Sequence, residues 1–316
     1  MNSSRRLFGA QFVAGASGVM LGACGGSNAS PPIETKRAVV LVHGSWFGSW
    51  CYAQVIPLLA AKGITCVAPD LPGHGLGAQF PASFSERPLD PSAFGTEPSP
   101  LASVTLANYA STVVQAVNSL AAAGFNAISV LGHSMGGIPI TVAGEMLPKT
   151  IAKLIYLSAF MPVTANPAGT YFTTPQGMEN QLSPLFLADP TVVGALRIDT
   201  GSTDTSYIAK MKTAFAADTS DTAFAAVQHL MTPDDPAQPF GVPTGATAAN
   251  WGSIKRAYIG CSQDNAVTPD LQQLFISEAD KLTPTNLTDF HAFPSSHSPF
   301  VAQPQALADL IATLAA

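Results

Sequence analysis

The stretch Gly132-His133-Ser134-Met135-Gly136-Gly137 places one serine between glycines two residues away on either side. It follows an apolar run ending at Leu131 and opens a helical pattern, so the G-x-S-x-G spacing stands in the strand–turn–helix context that gives it chemical meaning. So sharp a turn lifts a serine hydroxyl above the sheet edge, at a helix N-terminus whose partial positive charge favours a developing anion. Glycine is expected on both sides because a Cβ there would collide with neighbouring backbone. Pro139 falls early enough in the helix to be tolerated.

A serine hydroxyl is a poor nucleophile until a base takes its proton, and the base needs a carboxylate to orient it and stabilise its positive charge. With a turn of this kind the acid and then the histidine follow the serine along the chain, each at a strand end. Asp264, in Gly260-Cys-Ser-Gln-Asp-Asn-Ala-Val-Thr-Pro, and His297, in Pro294-Ser-Ser-His-Ser-Pro-Phe, meet that requirement. Asp270 is a second candidate acid, but it lies inside the helix after Pro269 and suits that helix's N-terminus better. Position weakens the other histidines: His291 lies within the last strand, His229 in the long stretch before the fifth strand, His133 in the turn itself. His74, in a loop near the second strand end, reads as structural, with pocket lining as the alternative. Two backbone N–H groups must converge on the carbonyl oxygen of an attacked substrate. Met135, directly after the serine, supplies one, and the loop His43-Gly44-Ser45-Trp46 is placed to supply the other from Ser45. His43 is expected to fix that loop by hydrogen bonding.

The elements that must hold these groups can be read from hydrophobic patterning. Strands are predicted at Ala38–His43, Thr65–Pro69, Ala127–Gly132, Leu154–Ser158, Arg256–Gly260 and Leu287–Phe293, and helices at Trp50–Lys62, Thr105–Ala123, Gly136–Leu147, Pro269–Lys281 and Pro304–Ala315. Apolar strands alternating with helices imply an α/β fold, a mostly parallel sheet covered on both faces and wound by right-handed crossovers. Residues 38–159 and 254–316 form this core. Residues 76–103, rich in Pro and Ser, are expected as a long functional or disordered loop. Residues 160–253, with Phe172, Phe186, Phe215 and Phe224, are expected to cap the strand ends, where ligands of open α/β sheets sit. Gly44, Phe47 and His133, together with cap aromatics, are expected to line an apolar pocket.

The chain begins with Arg5-Arg6, a small-residue apolar stretch, and Leu21-Gly22-Ala23-Cys24. Residues 1–23 read as a signal peptide and residues 24–37 as a tether. Ser3-Ser4-Arg5-Arg6-Leu7-Phe8 resembles a twin-arginine export signal, and Leu-Gly-Ala-Cys resembles a bacterial lipobox with Cys24 as the lipidated residue. An exported, periplasmic or outer-membrane-anchored protein is the expectation, with an ordinary cleaved signal as the alternative; the membrane is met only through the lipid. The 316 residues are 47% hydrophobic and 11% charged, with a formal charge of −6. That excludes disorder, and 14 Lys and Arg without a basic run argue against nucleic acid. Cys51, Cys66 and Cys261 are an odd set in apolar surroundings, so buried thiols are expected, with one disulfide as the alternative. No CxxC, HExxH or His-rich cluster points to a metal.

These segments resemble the α/β-hydrolases grouped with plant hydroxynitrile lyases and plant methylesterases. Val40-Leu-Val-His-Gly-Ser-Trp-Phe-Gly-Ser-Trp-Cys resembles their first-strand motif, Leu157-Ser-Ala-Phe-Met-Pro their cap entrance, and Trp251-Gly-Ser-Ile-Lys-Arg-Ala-Tyr-Ile-Gly-Cys-Ser-Gln-Asp the run to their catalytic aspartate. The resemblance implies a six-stranded core, a helical cap and a cofactor-free triad of Ser134, Asp264 and His297. The cyanogenic members carry a lysine after the catalytic histidine and a threonine in the oxyanion loop. Here those positions are Ser298 and Gly44. The long loops with Pro72-Gly-His-Gly look more like bacterial carboxylesterases of the group. The expected activity is therefore hydrolysis of small to medium hydrophobic carboxylic esters through an acyl-enzyme. Hydroxynitrile lyase chemistry, or a silent ligand-binding shell, are the alternatives.

Overall fold

In the computed structural model, residues 34–315 are described. The expected leader, Cys24 and most of the tether lie outside them. Six strands form one sheet in the order β2-β1-β3-β4-β7-β8: β1 Arg37–Val42, β2 Thr65–Val67, β3 Ala127–His133, β4 Ile151–Leu157, β7 Lys255–Cys261 and β8 Asp289–Phe293. Every adjacent pair is parallel. All seven residues of β3 are buried, which is why this central strand reads as an uninterrupted apolar run rather than an alternation.

Helices pack beside the sheet: α1 Val55–Ala60, α3 Leu106–Ala122, α4 Gly137–Met146, α8 Pro269–Leu282 and α10 Pro304–Leu314, preceded by the short α9 Pro299–Ala302. Their starts follow local chemistry. Thr105 and Asn108 cap α3 reciprocally, and Thr268 caps α8 ahead of a proline in its first turn. Asp270 lies in that first turn and has no part in the site. The helix expected from Trp50 to Lys62 is shorter. A 3-10 turn occupies Ser49–Tyr52 before α1 begins, since Gly48 has extended backbone and the Ser49 N–H is taken by Asp70 Oδ1 at 2.6 Å.

Two stretches differ from expectation. Residues 76–103 carry two 3-10 turns and α2 Pro91–Thr96, capped by Asp90, and their backbone binds the segment beyond β4. The Ser99 N–H donates to the Val193 carbonyl at 2.8 Å. That segment holds α5 Pro190–Val193, α6 Thr205–Ala216 and α7 Asp221–Leu230, with an unforeseen antiparallel pair, β5 Ala195–Arg197 and β6 Asp234–Pro236. The pair is locked by the buried Arg197 guanidinium, which holds both Asp234 oxygens at 2.7 Å and the Phe94 and Glu97 carbonyls. Residues Thr35–Ala316 form one compact unit. Cys51, Cys66 and Cys261 are free thiols; Cys51 and Cys261 are buried and Cys66 partly so. Burial pushes the Cys66 thiol up to about 11. No helix among the described residues is long and apolar enough to cross a membrane.

Candidate active site

Ser134 directly follows β3 with a φ of 53°, a left-handed conformation that costs a residue with a Cβ roughly 1–2 kcal/mol. The surroundings leave it no alternative. A Cβ on Gly132 would lie 2.5 Å from the Gly136 carbonyl oxygen, and one on Gly136 would lie 2.5 Å from the His43 carbonyl oxygen. The Ser134 carbonyl accepts the Phe160 N–H at 3.0 Å, tying the turn to the chain leaving β4. Ser134 begins a 3-10 turn that runs directly into α4, so its hydroxyl stands at a helix N-terminus.

Asp264 follows β7 and His297 follows β8, and both are buried. His297 Nδ1 lies 2.8 Å from Asp264 Oδ2. A carboxylate accepts only, so the imidazole proton is on Nδ1 and Nε2 is the basic atom. The other oxygen, Oδ1, accepts the N–H groups of Ala266 at 2.7 Å and Val267 at 3.0 Å. These bonds leave the carboxylate one orientation. His133, the residue before the serine, lies with Nε2 2.8 Å from the His297 carbonyl, and the two rings are 4.6 Å apart. The serine turn and the histidine loop are thus joined residue to residue. Asp218, beyond α6, grips the same loop by accepting the Ser295 hydroxyl, the Ser296 N–H and the Ser296 hydroxyl. Burial opposes its charge, but these bonds from Ser296 and Ser295 prevail and hold the carboxyl below the usual carboxylate range. Sequence reasoning missed Asp218, which is distant in sequence and carries no motif.

The loop after β1 passes against Ser134. A Cβ on Gly44 would stand 2.8 Å from Ser134 Cβ and 2.9 Å from His133 Nδ1. His43 fixes this loop, with Nδ1 2.9 Å from the Gly44 carbonyl and Nε2 accepting the Leu71 N–H at 3.0 Å. Burial, helped by neighbouring His74, pushes the His43 imidazole down to about 3. It is neutral and positions rather than titrates. His133 is likewise held well below the ordinary histidine range, by burial first and by His297 second. Ser45, Met135 and Ser134 are all buried, and the loop meets the serine turn at Gly44.

Phe47 and His133 are buried in packing contacts with each other and with Phe300, and Phe47 also meets Trp50 and Phe215. Their rings lie directly behind the serine turn and the histidine loop, where three chain segments converge. Phe215 and Phe224, two of the expected cap aromatics, are buried as well, and Phe224 forms part of the wall of a separate pocket between α6 and α7. An apolar cavity of about 440 Å³ lies in the insertion, lined by Phe172 and Phe186, two of the expected cap aromatics, with Leu196, Gln238 and Phe240. Its wall residues pack against neighbours of the site. Phe160, bonded to the Ser134 carbonyl, has its ring 5.6 Å from Phe172 and 5.5 Å from Phe240, while Phe186 is 6.1 Å from Trp46. His74 does not line this cavity; it is fully buried and bonded to Asp235. His229 is in α7 and His291 in β8, bonded to Ala225 and paired with Asp289 respectively. Among the described residues no group of three or more His, Cys, Asp or Glu side chains could hold a metal ion.

Known proteins resemble this chain at low identity. Methylesterase 9 of Arabidopsis thaliana is 25% identical, over 87% of this chain and 97% of its own length. A pyrethroid hydrolase from Sphingobium faniae superposes with a TM-score of 0.67 at 23% identity, covering 88% of this chain and 97% of its own. Polyneuridine aldehyde esterase gives 0.64 at 19%, covering 89% and 100%. The model of the alpha/beta hydrolase family matches residues 39–310. With that match across most of the chain, and with a parallel sheet that sets a serine turn against a His–Asp pair, the protein belongs to the alpha/beta hydrolase family.

Proposed function

We propose that the protein is a serine carboxylesterase acting on small to medium, uncharged hydrophobic esters. Ser134 attacks the ester carbonyl while His297 Nε2 takes its proton. The imidazolium, stabilised by Asp264, returns that proton to the departing alcohol. The N–H groups of Met135 and Ser45 hold the tetrahedral oxyanion, and water then repeats the sequence on the acyl-enzyme. The observation that carries this reading is the 2.8 Å bond from His297 to a carboxylate already fixed by two backbone N–H groups, on a loop tied to the residue before the serine. The apolar cavity beside Phe160 supports an uncharged substrate, and the ester-cleaving names of the relatives agree.

Lyase chemistry is disfavoured by Ser298 and by Gly44, whose site has no room for a threonine side chain. A panel of esters varied separately on the acyl and alcohol sides tests the reading. We expect turnover to rise with apolar bulk on one side and to fall when a carboxylate is added, with no cyanide released from mandelonitrile. Preference for charged esters, or cyanide release, would overturn it. We also propose export and lipid attachment at Cys24, to be checked by the mass of the mature N-terminal peptide and its loss in Cys24→Ala.

A further inference from the structure

The insertion reaches into the oxyanion loop at three points. The Trp46 indole N–H donates to the Leu196 carbonyl of β5 at 3.0 Å, and the Thr232 N–H donates to the Trp46 carbonyl at 2.9 Å. The Ser45 hydroxyl donates to Asp235 Oδ2 of β6 at 2.7 Å. Trp46 has a φ of 62°, an unfavourable conformation for a residue with a Cβ. A loop in such a conformation persists only where its surroundings over-determine it, and here the surroundings are β5, β6 and the residues between α7 and β6.

Asp235 is the centre of this clamp. It is fully buried, and its second oxygen, Oδ1, lies 3.0 Å from His74 Nε2 and accepts the Tyr109 hydroxyl at 3.2 Å. His74 Nδ1 in turn lies 3.3 Å from the Thr232 hydroxyl. A buried carboxylate is costly unless it is paired and hydrogen-bonded, and every partner here comes from a different part of the chain: the β1 loop, the β2 loop and α3. Register explains the geometry. Asp234 and Asp235 are consecutive on a strand, so their side chains leave opposite faces: Asp234 binds Arg197 inside the insertion and Asp235 faces the core.

We propose that Asp235 is a positioning residue that acts through Ser45. Paired with His74, it holds the Ser45 hydroxyl and so aims the Ser45 N–H at the oxyanion, which makes the insertion a part of the oxyanion hole rather than only a wall of the pocket. This rests on the reading of Ser45 as the second oxyanion donor. The neighbouring Gly44 lies so close to Ser134 that a Cβ on it would collide, so small shifts of the loop turn directly into misaim of that donor.

The test is a double-mutant cycle on a p-nitrophenyl ester, with Ser45→Ala, Asp235→Ala and the pair, each variant checked by thermal melting. Ser45→Ala keeps the backbone N–H and removes only the tie. We expect each single variant to lower kcat about ten-fold with KM within about two-fold, and the double variant to lose no more than the larger single loss. A purely structural role would lower Tm and leave kcat unchanged well below the melting point. Unchanged kcat in a folded single variant, a loss carried by KM, or losses that multiply in the double variant would overturn the proposal. Should Asp235→Ala fail to fold, Ser45→Ala decides alone by the same criteria. Full activity in Ser134→Ala would instead remove the esterase reading itself.

Discussion

A Cβ on Gly44 would come closer to Ser134 Cβ and His133 Nδ1 than side chains in proteins pack, so the residue sets which chemistry the serine can share space with. Gly44→Thr must displace either the loop or the nucleophile. We expect kcat/KM for a p-nitrophenyl ester to fall about 10²-fold without any gain of cyanide release. An undiminished rate would show that the loop is not held against the serine as described. At this scale the sequence was informative where roles travel with a local pattern. The tight turn at Ser134 was readable from its flanking glycines, and the meeting of Asp264 with His297 from their places after strands, because a sheet edge collects strand ends however far apart they are in sequence. Asp218 and Asp235 were not readable. Their function depends on which loops fold over them, and nothing in Ala217-Asp218-Thr219 or Asp234-Asp235-Pro236 announces those partners.

Among the elements, the inner core strands were legible because burial on both faces favours apolar residues, as in β3, while the partly exposed edge strands β2 and β8 were legible from their place in the alternation of strands and helices. Their ends differed from expectation by a few residues. The β5–β6 pair was hidden for the opposite reason: three residues each, one of them Asp-Asp-Pro, with composition that disfavours a strand. It exists because Arg197 and Asp234, both fully buried, satisfy each other. Residues 76–103 read as irregular and are in fact organised by the same arginine, which holds the Phe94 and Glu97 carbonyls and lies over the Phe94 ring. Removing one partner of a buried pair costs roughly 3–5 kcal/mol. Arg197→Met is therefore expected to lower unfolding stability by about that amount in urea titration. A change under about 1 kcal/mol would mean that the pair does not hold the insertion together.

Taken whole, the molecule buries His43 and His133 as neutral structural groups beside the site, and this gives its stability a sign with pH. His43 and His133 are depressed when folded, so the unfolded chain binds more protons once pH drops below the ordinary histidine value, and stability falls with it. Asp218 acts lower in the range. Its folded value is depressed, so its contribution is complete above the usual carboxylate value and is lost as pH falls through the folded one. Tm should thus be flat from about pH 8 to 7 and decline steadily from about pH 6.5 toward 4. His43→Asn and His133→Asn, if folded, should each flatten that decline. An unaltered slope in both would contradict the neutral, buried state of these rings.

The account stands on Ser134 as the nucleophile. A fluorophosphonate should add to the native protein as one covalent adduct on the peptide carrying Ser134, and Ser134→Ala should lose both the adduct and at least about 10⁴-fold of kcat on a p-nitrophenyl ester. Near-parental hydrolysis by a folded Ser134→Ala protein, or a phosphonate adduct on another residue, would contradict it.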